Sequence, residues 1–189
     1  MDLDEVLPNS HYVTRQSRWI DAPADVVWEE LHAVRLSGLP VTVVLGAARF
    51  LPVLLSGKGF GELRDRPFLE ALPVPLLSST EPESVVFGGV LQAWRLGGGE
   101  SGPELDAEGL QQWMRPGWVK AAMDFRLTPA RGGTELSSET RVLATDPTTR
   151  RRFALYWAFV RPGSTAVRWE VLTAVQLKAE RRMSVRGST

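Results

Sequence analysis

The chain has 189 residues, of which 43% are apolar and 23% are charged, with a formal net charge of zero. This composition is that of an ordinary globular protein and excludes a disordered or fibrous chain. The absence of cysteine excludes disulfides, thiolate metal sites and thiol nucleophiles, and two histidines are too few for a histidine-rich metal centre. The length predicts a single domain over residues 1–189 with a sizeable hydrophobic core.

The first predicted elements are a strand and a helix. Residues 11–20 alternate between two faces, which predicts a strand. Pro23 follows, and proline suits the first turn of a helix because no backbone N–H is needed there. Val27, Leu31 and Val34 then recur at helical spacing, so a helix is predicted through this segment.

The middle of the chain is less regular. Residues 41–56 are apolar but interrupted by glycine and proline, which predicts short helical pieces. Strands are predicted near residues 68–73 and 74–80, and a more regular strand over residues 83–95. The glycine-rich residues 97–109 predict a long loop between hairpin strands.

Two alternating segments joined by turn residues 128–133 give the clearest pattern. They predict an antiparallel hairpin with one buried and one solvated face. Lys120, Asp124 and Arg126 fall on the solvated face, where weak cross-strand ion pairs can form, for example between Glu139 and Arg126. The opposite face carries Val119, Ala121, Met123, Phe125 and Leu127 on one strand and Leu136, Ser138, Thr140, Val142 and Ala144 on the other.

The last predicted element is a helix that begins at Asp146 and Pro147, a capping residue followed by a first-turn proline. The sequence predicts that it runs to about Arg161 and is broken at Pro162 and the glycine after it. It is then expected to resume over residues 164–182, where apolar residues recur at helical spacing.

Three segments, taken with this order of elements, resemble a known superfamily. They are WIDAPADVVWEEL (residues 19–31), AAMDFRLTPARGGTELSSETRVLATD (residues 121–146) and PTTRRRFALYW, which begins at Pro147. The chain resembles the SRPBCC superfamily, whose helix-grip fold includes START lipid-transfer domains, birch-pollen allergens and polyketide cyclase-like proteins. The resemblance implies an α+β fold in which a curved antiparallel sheet wraps around a long C-terminal helix, usually with an apolar cavity between them.

The implied cavity selects the candidate ligand contacts. The inward strand faces need a cover, and the C-terminal helix is the only large amphipathic element available. Polar groups on such a buried face need partners, water or a ligand. The candidates are Met123, Phe125, Leu136, Ser138, Thr140, Val142, Tyr156, Trp157, Arg168, Trp169 and Leu172.

Arg168 is the most informative candidate because it shares a helical stripe with the apolar Leu172, Val175 and Ala179. An arginine there either anchors an anionic or carbonyl ligand, or packs its stem and sends its head to water or a structural carboxylate. The aromatic candidates likewise either line a pocket or form plain core.

Two other groups invite a functional interpretation that the sequence does not favour. His32 would need a nucleophile or substrate nearby to act as a general base, and no catalytic spacing accompanies it. The basic run of residues 150–152 lacks the fold signature and the wider basic stripe of a nucleic-acid site. A structural histidine and a solvated helical turn are the favoured interpretations.

These observations predict a protein that binds a small hydrophobic or amphipathic molecule between the sheet and the C-terminal helix. Two alternatives stay open: a cyclase-like or dehydratase-like enzyme that uses the same cavity, and a protein-interaction module without a cavity. No cofactor, metal, nucleic acid or membrane-spanning segment is predicted, and a homodimer is left open. The acidic N-terminus is unlike a secretory signal, so a cytoplasmic location is expected.

Overall fold

The computed structural model describes residues 1–46, 65–95 and 102–186. These residues form an open antiparallel sheet of five strands, with a long C-terminal helix packed against one face. The predicted α+β class is confirmed, and the arrangement is compatible with a helix-grip fold.

The strands follow the predicted alternation of side chains. In chain order they are β1 (Tyr12–Ile20), β2 (Leu76–Thr80), β3 (Ser84–Leu91), β4 (Val119–Ala130) and β5 (Gly133–Ala144). Across the sheet the order is β1-β5-β4-β3-β2, and every neighbouring pair is antiparallel. The hairpin of β4 and β5 therefore forms the middle of the sheet, with β1 and β2 at its edges.

The helices lie on both faces of this sheet. They are α1 (Leu3–Val6), α2 (Ala24–Ala33), α3 (residues 40–46), α4 (Ala107–Gln112) and α5 (Pro147–Arg186). Short 3₁₀ turns form at Leu36–Gly38 and Leu69–Ala71. The second turn replaces the strand predicted near residues 68–73, because the adjacent Phe68 and Leu69 both point into the core instead of alternating.

The predictions for the remaining middle segments have mixed outcomes. The strand expected near residues 74–80 is confirmed as β2. Helical structure is confirmed over residues 41–46, and residues 47–56 lie outside the described residues. Within the loop predicted over residues 97–109, α4 begins at Ala107, whereas residues 97–101 lie outside the described part.

The main core lies on the sheet face that contacts α2 and α5, here called the inner face. Phe125 of β4 is fully buried and its ring meets that of Phe68 edge-on, with centroids 6.2 Å apart. The buried stripe of α5 packs over the β1–β5 side of this face, and α2 packs against α5 and β4. The stripe and the facing helix contribute Val171, Leu172, Val175 and Ala179 from α5 and Val26, Val27, Trp28 and Leu31 from α2.

The helix α5 is continuous over 40 residues, so the break predicted at Pro162 is wrong. Proline deprives the carbonyl four residues earlier, that of Ala158, of its helical hydrogen bond. Ala158 and Pro162 are both exposed, so water can bond the carbonyl that the proline leaves unpaired. A solvent-facing proline is therefore compatible with an unbroken helix at this place.

The opposite face of the sheet is here called the outer face. The sequence predicts that it is solvated, but part of it is covered. Lys120 and Asp124 are buried there. They are covered because α1 and α4 pack a second apolar cluster onto the outer side of β3 and β4. That cluster contains Leu3, Val6, Leu7, Val86, Val90, Leu110, Trp118 and Ala122.

Burial shifts the pKa of both side chains in the direction that disfavours their charged forms. Burial lowers the pKa of Lys120, whose Nζ donates to the Gln111 carbonyl at 2.7 Å. Burial raises the pKa of Asp124, although its Oδ1 accepts a 3.0 Å hydrogen bond from the Glu139 backbone N–H. These residues belong to the packing of the outer face.

The ion pair considered between Glu139 and Arg126 is not observed. In the observed register Glu139 lies opposite Asp124, and Arg126 lies opposite Ser137. Glu139 instead accepts from the guanidinium of Arg141 at 2.6 Å, and Arg141 also reaches Asp4 of the α1 segment at 2.6 Å. The arginine thus ties the N-terminal segment to the sheet.

Asp146 caps the start of α5, as the sequence predicts. Its carboxylate accepts from the Thr149 hydroxyl at 2.5 Å, from the Gly117 N–H at 2.8 Å and from the Thr149 N–H at 2.9 Å. These donors lower the pKa of Asp146 from 3.8 to about 2. We expect Asp146→Ala to lower the free energy of unfolding by about 1 kcal/mol at pH 7, measured by urea denaturation.

The pH dependence identifies the charged cap. Because the pKa is lower in the folded chain than in the unfolded chain, the carboxylate stabilises the fold above about pH 4 and loses this effect as the pH falls towards 2. The difference between wild type and Asp146→Ala should shrink over that interval. The exposed Asp25, changed to alanine, serves as the control and should change stability by less than about 0.5 kcal/mol. A pH-independent difference for Asp146 would contradict this assignment.

Candidate functional site

A buried arginine lies on the inner face, over the side formed by β1 and β5. Arg168 of α5 is only 4% exposed. One terminal nitrogen donates to the Thr140 hydroxyl on β5 at 2.5 Å, and the other donates to the Ser164 hydroxyl one turn earlier on α5 at 3.0 Å. Burial lowers the pKa of Arg168 to about 10, so the guanidinium stays charged at neutral pH.

No carboxylate neutralises this charge among the described residues. The ion pairs observed there join other groups, and Arg168 takes part in none of them. A buried charge without a counter-ion is rare, because removing an ion from water costs several kcal/mol. The two hydroxyls that hold the guanidinium compensate only part of this cost.

Unpaired polar atoms gather around the same place. Thr14 Oγ1 and Gln16 Oε1 of β1, Ser138 Oγ of β5 and Arg168 Nε are buried and form no hydrogen bond within the described structure. Folded proteins leave few buried polar atoms without a hydrogen bond, and bound water or a ligand can explain those that remain. We call Arg168, Thr14, Gln16, Ser138 and Thr140 the polar cluster.

The strand register explains how distant parts of the chain supply this cluster. Thr14 lies opposite Thr140, and Gln16 lies opposite Ser138. Residues two apart on a strand share a face, so the four side chains form one patch on the inner face. The helix α5 crosses this side of the sheet and brings Arg168 over the patch.

An apolar border adjoins the polar cluster. Met123 of β4 lies opposite Thr140 in the sheet. Met123, Leu91 of β3 and Val167 of α5 are only partly buried, although all three pack against the main core. The inner face thus places an incompletely covered apolar side chain, that of Met123, beside unpaired polar ones, an arrangement suited to a molecule with both kinds of surface.

Three of the predicted contact residues belong to the solid core. Phe125 and Leu136 are fully buried, and Leu172 of α5 is nearly so. They pack with the helix α2 in the main core cluster. Their contribution to a ligand site stays a prediction, whereas their contribution to the core is observed.

Three others lie in an aromatic cluster at the start of α5. Val142 is buried there, and Tyr156 and Trp157 are partly buried. The Trp157 ring stacks on that of Phe153 with centroids 5.7 Å apart and meets that of Tyr12 at 5.8 Å. Ring-to-ring packing thus accounts for part of the surface that the sequence assigned to a pocket.

Trp169 lies outside the enclosed interior. It is 59% exposed, and the guanidinium carbon of Arg18 lies 5.2 Å from its ring centroid. Trp169 is one position along the helix from Arg168 and is therefore rotated about 100° away from it. Its contribution to a ligand site stays a prediction, whereas its exposed contact with Arg18 is observed.

The two histidines are held by the backbone. The Nδ1 atom of His32 lies 2.9 Å from the Trp28 carbonyl, one turn back on α2. His11 Nδ1 accepts from the Ala144 N–H at 3.1 Å, and burial lowers the pKa of His11. These contacts support structural roles for both. In the described ranges, no three His, Asp or Glu side chains are grouped to hold a metal ion.

Two surface hollows lie away from the polar cluster. One of about 500 Å³ is wide open to solvent between the start of α2 and the β4–β5 turn, and the other, of about 190 Å³, lies between α1 and the outer face. Neither is lined by Arg168 or Thr140. The enclosed cavity expected between sheet and helix therefore stays a prediction.

No helix within residues 1–46, 65–95 and 102–186 is both long and apolar enough to span a bilayer.

Part of the polar cluster was missed by the sequence analysis. Thr14 and Gln16 lie on the strand predicted over residues 11–20, and they share its inner face with Tyr12 and Arg18. Their alternation placed them on one face, but nothing in the sequence marked that face as the inner one. Ser164 lies on the helix predicted over residues 164–182, one turn before Arg168, but nothing in the sequence marked its hydroxyl as a partner of the guanidinium.

Comparisons with known proteins add little. No protein-family model matches the chain, and none of the curated proteins does. A Mesorhizobium loti protein of solved structure is 14% identical, with 87% of this chain and 96% of that chain aligned and a TM-score of 0.41. Proteins from Chromobacterium violaceum (13% identity, 89% and 97% coverage, TM-score 0.37) and Mycobacterium smegmatis (12%, 91% and 92%, 0.39) are similarly distant. Similarity at this level carries no argument about activity.

Proposed function

We propose that this protein binds a small amphipathic molecule between the inner face of the sheet and α5. One observation carries the proposal: the charged, buried Arg168 and its unpaired polar neighbours lie beside Met123, which is opposite Thr140 in the sheet and only partly buried. A molecule with a polar end and an apolar body would satisfy both surfaces. The resemblance to the SRPBCC superfamily leads to the same expectation.

A catalytic role has less support from the described residues. General acid–base chemistry needs an ionisable group within reach of the reacting atoms. Both histidines are held elsewhere, and the polar cluster offers only hydroxyls, an amide and a guanidinium that keeps its proton. Binding without chemistry is therefore the function that this site supports best.

Binding of a neutral fluorescent probe tests the proposal. N-phenyl-1-naphthylamine is apolar and gains fluorescence when it leaves water. We expect saturable binding to the wild type and about ten-fold weaker binding to Met123→Trp, because the larger ring fills the apolar border. If Met123→Trp fails to fold, Ala121→Leu on the same inner face of β4 takes its place.

Two controls show where the probe binds. Val13→Trp adds the same ring to the exposed outer side of β1 and should leave the affinity unchanged. Phe159 of α5 is 85% exposed and offers an alternative, superficial site. If Phe159→Ser abolishes binding while Met123→Trp does not, the probe binds the helix surface and the proposed site is wrong. An absence of any saturable binding would also overturn the proposal.

A further inference from the structure

The polar cluster contains donors and lacks negative charge. The hydroxyls of Thr14 and Ser138 are unpaired and can each donate a proton, and Arg168 is positive. None of the described carboxylates forms an ion pair with this guanidinium. A group bound here would therefore meet a positive charge and several O–H donors, which is the environment that an anion requires.

The guanidinium also has donors to spare. An arginine side chain presents five N–H bonds in a planar fork. Thr140 and Ser164 accept one bond each, from the two terminal nitrogens, and Nε has no acceptor. The Nε–H, which has no acceptor, lies on the edge of the fork that can bind the oxygens of a carboxylate.

The other arginine on this face is already engaged. Arg18 of β1 donates to Gln176 Oε1 at 2.8 Å, and its guanidinium lies against the exposed ring of Trp169. Unlike Arg168, it has no buried unpaired nitrogen. The charge available to a ligand inside the described structure is therefore that of Arg168.

We propose that the polar end of the bound molecule is a carboxylate, held by the fork of Arg168 and by the hydroxyl of Ser138. This inference rests on the proposed function, because it assigns the chemical class of the amphipathic molecule expected at the same site. The carboxylate supplies the counter-ion that the guanidinium lacks, and the apolar body extends over Met123.

Displacement of the neutral probe by three ligands of equal chain length tests the inference. Decanoate carries the carboxylate, methyl decanoate keeps a carbonyl without the charge, and decanol keeps neither. We expect decanoate to displace N-phenyl-1-naphthylamine from the wild type at about ten-fold lower concentration than either neutral ligand. Arg168→Met should abolish this preference, so that decanoate and decanol displace the bound probe at similar concentrations.

Matched variants separate a specific fork from general positive charge. Arg161→Met removes an exposed arginine of the same helix and should leave the preference unchanged. Arg168→Lys keeps the charge without the fork and should retain only part of it. If Arg168→Met fails to fold, Arg168→Lys and Ser138→Ala carry the test, and both should reduce the ratio of decanoate to decanol affinity.

The possible failures can be told apart. Equal displacement by decanoate and decanol in the wild type, with the neutral probe bound, would overturn the carboxylate assignment and leave the proposed function standing. Equal displacement by decanoate and methyl decanoate, both stronger than decanol, would assign a carbonyl ligand and overturn the assignment as well. A failure of the neutral probe to bind would overturn both proposals.

Discussion

Phe125→Ala is expected to lower the free energy of unfolding by about 3–5 kcal/mol, because the ring lies in the middle of the main core. Phe125 is fully buried on the central strand β4 and packs edge-on against Phe68. Strands β3 and β5 flank it, so the sheet backbone restricts the collapse that would fill the cavity. Urea denaturation followed by far-UV circular dichroism measures the change.

A loss of this size is a large part of the stability of a typical domain. Phe125→Leu, which keeps most of the apolar volume, gives a measurable intermediate if the alanine variant is largely unfolded. Leu155 of α5 is mostly exposed, so Leu155→Ala provides the control, with a change below about 0.5 kcal/mol. A loss below about 1 kcal/mol for Phe125→Ala would mean that this part of the core adapts freely or is already loosely packed.

The strands and their faces could be predicted because successive side chains of a strand point to opposite faces of the sheet. The alternation around Met123 and Leu136 assigned the inner faces of β4 and β5 correctly. The cap at Asp146 was also predictable, since an acidic residue followed by proline suits a helix start. These signals are local, so the sequence carries them without knowledge of the rest of the fold.

The features that depend on distant contacts were not predictable. Lys120 and Asp124 lie on the strand face that the sequence predicts to be solvated. They are buried only because α1 and α4 pack over this outer face. Pro162 has the local signature of a helix break, yet its exposed position on α5 leaves the backbone access to water. In each case the outcome depends on which side of an element is covered.

In the candidate site, too, some features could be predicted from local spacing and others depended on distant contacts. The position of Arg168 on an apolar stripe was visible in the sequence, because helical spacing aligns it with Leu172 and Val175. Its partners were not visible, since Thr140 reaches it from another element and Thr14 and Gln16 approach through the β1–β5 register. Spacing along the chain thus revealed the unusual charge, and only the three-dimensional structure showed that no carboxylate in the described part accompanies it.

The polar cluster also has a consequence for stability. A site that keeps a charge and several polar atoms unpaired makes the unliganded fold less stable than an apolar packing of the same space would. A ligand that binds only the folded chain raises its stability by an amount set by its concentration and affinity. Under the proposed function, the bound molecule would supply the partners that these atoms lack and would raise the free energy of unfolding.

Gly133→Ala is expected to destabilise the protein by roughly 1–3 kcal/mol, because a side chain at this position meets backbone and not a movable group. A Cβ atom at Gly133 would lie 2.3 Å from the carbonyl oxygen of Ile20 and 3.2 Å from the Trp19 ring. Thr134, the next residue, pairs with Ile20 in the sheet. The ends of β1 and β5 would have to separate, which weakens the sheet edge on which α5 packs.

Two other glycines make this prediction specific. Gly38 has open space around it and no positive φ, so Gly38→Ala should change stability by less than about 0.5 kcal/mol. Gly132 also has open space but adopts φ +81°, so Gly132→Ala should cost about 1–2 kcal/mol through its backbone conformation alone. Asparagine tolerates that conformation, so Gly132→Asn should recover part of the loss, whereas Gly133→Asn should not.

Urea denaturation of the five variants distinguishes the steric cost from the conformational cost. A Gly133→Ala variant as stable as Gly38→Ala would show that β1 and β5 do not approach as closely as described.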